Sequence, residues 1–381
     1  MHALLMGYYG GRNLGDEMML RCLHHWLDAQ EVRVTVLTEG ARDIQDRHGL
    51  PAVENVPFLG EWAWRTAWLR GHALKVVGAI ARHDALMVGG GDLIRDDRGW
   101  RQFFYAVEKL IVALLLGRPV YLLNIGIGTP VTRYGRLILR WALPRCARII
   151  ARDQRTFDLC QRLGAGPVTE YAPDIVLSLP RLLQHPASVP QEGRRYALVC
   201  LRTHANDFSR FAWTDSRIRS FAGALDRLAE SHDLDIMFFP FQVLDDKHDD
   251  NRIHQAIAGA MTHRSRAVIR RWSDDLHEVA RAVREADCVV AMRLHAAVLA
   301  RALGRSCVLM PYDVKVAEFG RQMGLCHEIT PETLECPSAL DRVLHAALSG
   351  GPGRHAWVPP ATWETLTLAA PGGEPLHVSC S

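Results

Sequence analysis

Histidine, arginine and lysine recur in this 381-residue chain at one kind of place, just after short apolar runs that read as strands. The fullest instance is Met292-Arg293-Leu294-His295, which follows Cys288-Val289-Val290-Ala291. A strand ending near Met292 and a helix over Leu294–Leu303 would put Arg293 and His295 at the helix's positive end. There a guanidinium can hold an anion and an imidazole can move a proton. Cys200-Leu201-Arg202-Thr203-His204 also ends a strand in a guanidinium, and Ala151-Arg152-Asp153 does the same. Asp153 fits equally as the N-cap of a helix over Gln154–Leu163. Tyr312-Asp313-Val314-Lys315-Val316-Ala317-Glu318-Phe319 adds the compact charge of Lys315 and the carboxylate of Glu318. Arginine forks suit planar carboxylates as well as phosphates. The cationic inventory therefore describes a pocket for a small polyanion with more than one charged group.

Glycines mark the other strand ends. The chain opens with the strand Ala3–Met6, then Gly7-Tyr8-Tyr9-Gly10-Gly11-Arg12-Asn13-Leu14-Gly15-Asp16-Glu17, then a helix from Asp16 through Trp26. A helix start after glycines exposes backbone N–H groups and is a ready anion site. Here Asp16 and Glu17 already occupy it, so the turn reads as an edge that orients hydroxyls or protons. Gly11 and Asn13 belong to the same edge. Gly89-Gly90-Gly91-Asp92 follows Ala85–Val88: Gly90 would allow close backbone approach, and Asp92 could fix a hydroxyl. Asn124-Ile125-Gly126-Ile127-Gly128-Thr129-Pro130 is a further glycine-lined strand end. None of these runs has the GxGxxG spacing of a dinucleotide site.

The elements that must position these groups alternate. Apolar strands are expected at Ala3–Met6, Val32–Leu37, Ala85–Val88, Val120–Ile125 and Arg148–Ala151. They resume at Tyr196–Leu201, Leu234–Phe239, Ala267–Ile269, Cys288–Ala291 and Cys307–Met310. Such runs alternating with helices imply parallel sheets covered on both faces, an α/β chain of two doubly wound Rossmann-like domains. The break at Ser178–Arg195 holds Pro180, Pro186, Pro190 and Gly193. It divides an N-terminal domain over 1–178 from a second over 196–345, with a linker at 179–195 and a Gly/Pro-rich tail at 346–381. Ligands of such sheets bind at the strands' carboxyl ends, so a cleft between the domains is expected to hold the site.

Bulk properties narrow the function classes. A formal net charge of +3 with scattered arginines argues against nucleic acid as a partner. Nine cysteines without a CxxC pair indicate neither a zinc site nor a disulfide framework, and suit a reducing cytoplasm. The longest apolar run, Leu110–Leu116, is far short of the ~20 residues that span a bilayer. Trp62, Trp64 and Trp68 could stack on sugars or touch a membrane surface peripherally; their spacing also fits one buried helix face.

Together, Gly7–Glu17, Gly89–Asp92, Gly126–Pro130, Ala151–Asp153, Met292–His295 and Tyr312–Phe319 resemble the polysaccharide pyruvyltransferase family, in order and to about residue 325. Thr156 stands where that family often has serine, which keeps the hydroxyl. The resemblance implies a two-domain fold similar to GT-B glycosyltransferases. It also implies transfer of the pyruvyl unit of phosphoenolpyruvate to two hydroxyls of a sugar, giving a cyclic ketal and phosphate. Phosphoenolpyruvate would be a co-substrate, with no separate cofactor and no metal.

On that resemblance His295 is the acid or a phosphate-contacting donor. Arg293, Arg202, Lys315 and Arg152 hold the phosphate and carboxylate. Asp16 orients or deprotonates the acceptor hydroxyl, with Glu17 and Glu318 as rivals, while Asn13, Gly11, Gly90 and Asp92 contribute to substrate binding. His295→Ala and Arg293→Ala are expected to abolish phosphate release and leave the fold intact. A nucleotide-sugar glycosyltransferase and a non-catalytic binder of an anionic sugar or metabolite are the alternatives.

Overall fold

The computed structural model describes residues 1–57, 71–97, 99–184, 194–203, 211–245, 249–349 and 363–368. Trp62, Trp64, Trp68 and His204 lie outside the described residues. The chain gathers into two compact units, one of Met1–Gly11, Met19–Ile175 and Pro359–Ser381, the other of Arg12–Met18 and Val176–Val358.

The first unit is built on a 7-stranded parallel sheet. Its strands are β1 (His2–Met6), β2 (Arg33–Thr38), β3 (Ala52–Glu54), β4 (Ala85–Ile94), β5 (Val120–Ile127), β6 (Arg148–Ala151) and β7 (Thr169–Tyr171). They lie in the order β3-β2-β1-β4-β5-β6-β7. Every residue of β5 is buried, as a strand covered on both faces requires. Leu4, Val88, Leu122 and Ile149 from the sheet pack with Phe103, Val107 and Leu110 of the helix Trp100–Leu115. Each such side chain contributes about 1.5–3 kcal/mol by leaving water. That helix contains most of the Leu110–Leu116 run, and no helix among the described residues is long and apolar enough to cross a membrane.

The second unit carries a 6-stranded parallel sheet in the order β10-β9-β8-β11-β12-β13. Its strands are β8 (Tyr196–Cys200), β9 (Asp235–Phe238), β10 (Ala267–Ile269), β11 (Cys288–Ala291), β12 (Cys307–Leu309) and β13 (His327–Glu328). The chain thus adopts the expected two-domain α/β fold. In each sheet the strand order reverses once, between β1 and β4 and between β8 and β11. These are the places where neighbouring connections leave on opposite faces and a crevice opens.

Some local features differ from the reading of the sequence. The glycine run is not a turn beyond Val88. β4 continues through it to Ile94, with Gly90 at φ +70°, Gly91 at φ +82°, and a register shift against β5 between Gly91 and Ile94. Glycine adopts that backbone without a Cβ penalty, so the run is a bulge inside a strand. The segment Arg12–Met18, expected with the first domain, groups with the second unit. Its backbone finds partners there: Leu14 N–H donates to Phe241 O (2.8 Å), and Asn13 bridges Gln242. The described part of the tail packs on the first unit. Trp363 donates from Nε1 to Pro173 O (2.7 Å) and accepts at its carbonyl from Trp26 Nε1 (2.8 Å).

Candidate active site at the carboxyl ends of the second sheet

Three adjacent strands of the second unit, β8, β11 and β12, end in Arg202, Arg293 and Tyr312 respectively. Arg202 and Arg293 therefore flank the point where the strand order reverses. Backbone bonds hold the loops in place: Met292 N–H and Arg293 N–H both donate to Cys200 O, at 2.9 and 3.3 Å.

Arg293 is buried, with 7% exposure. Its Nε–H donates to Asp250 Oδ2 (3.0 Å), an Nη2–H to Asp250 Oδ1, and an Nη1–H to Gln242 Oε1 (3.1 Å). Asp250 is fully buried and also accepts the backbone N–H groups of Phe241 (3.0 Å) and Gln242 (2.9 Å). Most of the fork of Arg293 is thus spent inside the protein. Those bonds tie the residue two before His295 to the Gln242 and Asp250 segment.

His295 stands one residue into the helix Leu294–Ala302, near its N-terminus. Its ring lies against the opening turn: a Cβ placed on Gly15 would come 2.0 Å from His295 Nδ1. The glycine is required by this approach. Asp16 is the next residue, held by Asn13 Nδ2 at 2.6 Å, while Asn13 Oδ1 accepts Gly15 N–H at 3.3 Å. The second unit therefore brings together Asn13, Asp16, Arg293 and His295 from opposite ends of the chain. Glu17, by contrast, is buried at 1% exposure.

Arg202 donates from Nη1 to Tyr312 Oη (2.9 Å), and its guanidinium carbon lies 5.3 Å from the centroid of the Tyr312 ring. No ion pair joins Arg202 to a carboxylate among the described residues. Burial alone would raise the pKa of Tyr312, but Lys315, Arg202 and Arg293 together draw it below the ordinary phenol value. Lys315 lies at the start of the helix Val314–Met323, whose N-cap is Asp313. Glu318, on the same helix, pairs with Arg321 and accepts from Gln322 Nε2 at 3.3 Å.

The remaining expected site residues sit in the first unit. Arg152 is buried and donates to Asp92 Oδ1 (2.6 Å), with Asp174 at 3.7 Å and Asp153 at 3.9 Å. Asp92 also meets Arg95 at 3.3 Å. Burial opposes the charge of Arg152, yet Asp92, Asp174 and Asp153 hold it more firmly protonated than usual. Asp153 caps the helix Gln154–Arg162 through Thr156 N–H (2.7 Å). At Gly90 an added Cβ would meet Met19 Sδ at 2.9 Å, and at Gly11 the ring of Tyr8 at 3.2 Å, so both glycines make room for side chains of the protein.

Asp250, Gln242, Tyr312 and His254 were not singled out as site residues. Asp250 stands at the N-cap position of the helix Asn251–Ala260, but its side chain makes no cap bond. His254 is fully buried and accepts Leu201 N–H at Nε2 (3.2 Å). Burial, and then the charge of Arg293, lower its pKa from 6.5 to about 3. Its neutral ring holds the strand end from which Arg202 projects. Among the described residues no group of three or more His, Cys, Asp or Glu side chains could hold a metal ion.

The model of one family, described as polysaccharide pyruvyl transferase, matches residues 13–314. That span covers the Asn13–Glu17 part of the opening turn, Arg202, Arg293 and His295. No curated protein matches the sequence. Similar solved structures include a protein described as a UDP-N-acetylglucosamine 2-epimerase from Listeria monocytogenes, at 11% identity and a TM-score of 0.61, covering 92% of this chain and 91% of that one. The UDP-GlcNAc 2-epimerase of Methanocaldococcus jannaschii is similar at 10% identity and a TM-score of 0.60, covering 91% of this chain and 92% of that one. The Neisseria meningitidis UDP-GlcNAc 2-epimerase bound to UDP-GlcNAc is similar at 9% identity and 0.53, covering 92% and 98%. At such identities the likeness is one of fold.

Proposed function

The chain belongs to the polysaccharide pyruvyl transferase family, and on that premise we propose that it moves the pyruvyl unit of phosphoenolpyruvate onto a sugar of a polysaccharide or lipid-linked glycan precursor. The product is a pyruvate ketal and the leaving group is inorganic phosphate. The observation that carries this reading is Arg202: half-buried, stacked on Tyr312, and without a carboxylate partner among the described residues. Arg152 and Arg293 are paired with buried aspartates; Arg202 is the arginine left to meet a ligand. With Lys315 and Arg293 it makes a field strong enough to acidify a buried phenol. A small molecule bearing both a carboxylate and a phosphate is matched to that field.

In the proposed reaction one proton is added to the enol methylene, which becomes a methyl group and leaves C2 electrophilic. One sugar hydroxyl adds to C2 and the phosphate departs. The second hydroxyl then closes the ketal. Two hydroxyl protons are released, one balancing the new methyl group and one the phosphate. His295 supplies the methylene proton or meets the phosphate. Asp16, beside it along the opening turn, takes a hydroxyl proton. Arg202 and Lys315 hold the donor's anionic groups, and Arg293 keeps the loop of His295 in register through Asp250. A lipid-linked acceptor would be met by peripheral contact at the inner face of the membrane.

The test is phosphate release from phosphoenolpyruvate against a panel of glycans and lipid-linked sugars, paired with thermal unfolding in each ligand. Release with at least one acceptor, lost in His295→Ala, and a raised KM for phosphoenolpyruvate in Arg202→Ala are expected. The similar fold of an enzyme bound to UDP-GlcNAc makes a nucleotide-sugar transferase the rival. Protection by UDP-GlcNAc and not by phosphoenolpyruvate would put that rival in its place.

A further inference from the structure

Charge is unevenly placed along this chain. Between Asp97 and Asp153 the sequence holds nine arginines and one lysine against a single acid, Glu108. Glu108 and Lys109 are buried and paired with each other, so no carboxylate within the stretch answers its arginines. Three of those arginines stand on the helix Arg133–Ala142, which follows the carboxyl end of β5 in the first unit. Buried Asp96 fixes the start of that helix by accepting the backbone N–H groups of Val131 and Thr132, both at 2.9 Å. Thr132 then caps it through Gly135 N–H (3.0 Å), and Gly135, Leu139 and Ala142 form its buried face. A helix anchored in this way presents a fixed outer face.

That outer face carries two stripes. Arg133, Arg136 and Arg140 follow one another at spacings of three and four, and so do Tyr134, Leu137 and Trp141. At 3.6 residues per turn each set lines up along the helix, one basic row beside one apolar row. All six side chains are exposed, Leu137 by 68%. None of the three arginines is ion-paired among the described residues. The apolar row extends beyond the helix: Tyr134 stacks on Phe104 with centroids 6.1 Å apart, and Phe104 meets the exposed ring of Trp100 edge-on at 6.4 Å. The guanidinium of Arg145 lies 5.1 Å from the Trp141 ring and that of Arg101 5.6 Å from Trp100, so each tryptophan is flanked by a cation.

The two rows select their partner. A second copy of the chain would set the same arginines against each other, and like charges brought together disfavour that pairing. A nucleic acid strand would answer the arginines and stack on the rings, but it offers no apolar partner to Leu137. A bilayer containing anionic lipid answers both rows. Its phosphates take the guanidiniums, its acyl boundary takes the leucine, and tryptophan and tyrosine favour the interface between them. We propose that the helix Arg133–Ala142 is a docking surface for an anionic phospholipid bilayer. Tyr134, Leu137 and Trp141 enter the headgroup–acyl boundary, and Arg133, Arg136 and Arg140 pair with lipid phosphates. This surface gives peripheral membrane contact a place on the molecule, and it holds whether or not the chain transfers a pyruvyl unit.

The experiment is co-sedimentation of the full chain with vesicles of equal parts phosphatidylglycerol and phosphatidylcholine, and with vesicles of phosphatidylcholine alone. Binding to the mixed vesicles that falls as salt is added, and far weaker binding to the neutral ones, is expected. Arg133→Gln, Arg136→Gln and Arg140→Gln together should weaken it roughly a hundredfold, at about fivefold per arginine, while lysine at the same three positions keeps most of it. Leu137→Glu should weaken it roughly tenfold or more, because the buried leucine is lost. Circular dichroism melts of these variants should match the wild type, since the replaced side chains are exposed. Lipid with brominated acyl chains should quench tryptophan emission, and Trp141→Phe should remove part of that quenching. No binding to the mixed vesicles, or equal binding by the variants and the wild type, overturns the proposal. A dimer that forms without lipid and is dispersed by Leu137→Glu also overturns it, because a second copy would then occupy the face. Binding of single-stranded RNA with none to vesicles overturns it as well.

Discussion

At the scale of single residues, His295 and Gly15 are in close contact within the proposed site. The missing side chain of Gly15 is the space the imidazole occupies. Gly15→Ala should therefore displace His295 and lower phosphate release nearly as far as His295→Ala does, by roughly 10²–10⁴-fold for the loss of a positioned acid. Helix propensity alone would make alanine the better residue there by about 0.5–1 kcal/mol, so the fold should survive. Single-turnover rates with circular dichroism on both variants and on the double variant check this. A double variant much slower than either single one would show that the two residues act separately. Arg293 behaves differently. Removing it leaves Asp250 as a fully buried carboxylate without its guanidinium, a change that typically costs about 3–5 kcal/mol. Arg293→Ala should thus lower the urea midpoint markedly as well as activity, contrary to the expectation of an intact fold. A midpoint equal to that of the wild type would show that the pair contributes nothing to stability.

Two kinds of strand end emerge among the elements. The bulge in β4 aims Asp92 at Arg152, and Gly126 on β5 lets the two approach: a Cβ there would stand 2.2 Å from Asp92 Oδ1 and 3.1 Å from Arg152 Nη2. Gly126→Ala should break this buried pair. The expected result is a fall in melting temperature of several degrees, with a loss on the scale of other broken buried pairs, roughly 3–5 kcal/mol. Differential scanning calorimetry reads it, and an unchanged melting temperature would mean the strands can shift to admit the methyl group. The helix after β11 instead uses its N-terminus to present His295, and the loop before it is fixed by backbone bonds to Cys200 rather than by a cap side chain.

Protonation couples the site to stability across the whole molecule. His254 has a pKa of about 3 when folded, against 6.5 ordinarily, because burial and then Arg293 disfavour its charge. As pH falls below 6.5 the unfolded chain takes up the proton first. The stability tied to the neutral ring is complete above pH 6.5 and is lost as pH drops toward 3, at up to about 1.4 kcal/mol per pH unit. Urea unfolding between pH 6.5 and 4.5 should show a shallower pH slope in His254→Gln, which still accepts Leu201 N–H. Equal slopes would show that His254 is not buried in its neutral form.

Much of this architecture was legible in the residues. β1, β5, β6, β8 and β11 fall on apolar runs, because a strand covered on both faces must be apolar throughout. The edge strands β3, β7 and β13 were missed, since Glu54, Glu170, His327 and Glu328 leave these two- and three-residue strands without an apolar run. The residue types at the strand ends, His295, Arg293, Arg202 and Lys315, were likewise evident from sequence, as were the glycines that bend the chain there. Periodicity and turn chemistry are local, and a linear sequence displays them directly. Which arginine lacks a carboxylate partner among the described residues is not local. Arg152 and Arg293 were set apart from Arg202 by Asp92 and Asp250, carboxylates that strand order and loop packing bring in from distant segments. The partnership of Gly15 with His295 has the same origin. Pairing inside a folded core depends on neighbours that only the tertiary structure supplies, and so that structure decided which charged groups are paired among residues whose presence the sequence had already determined.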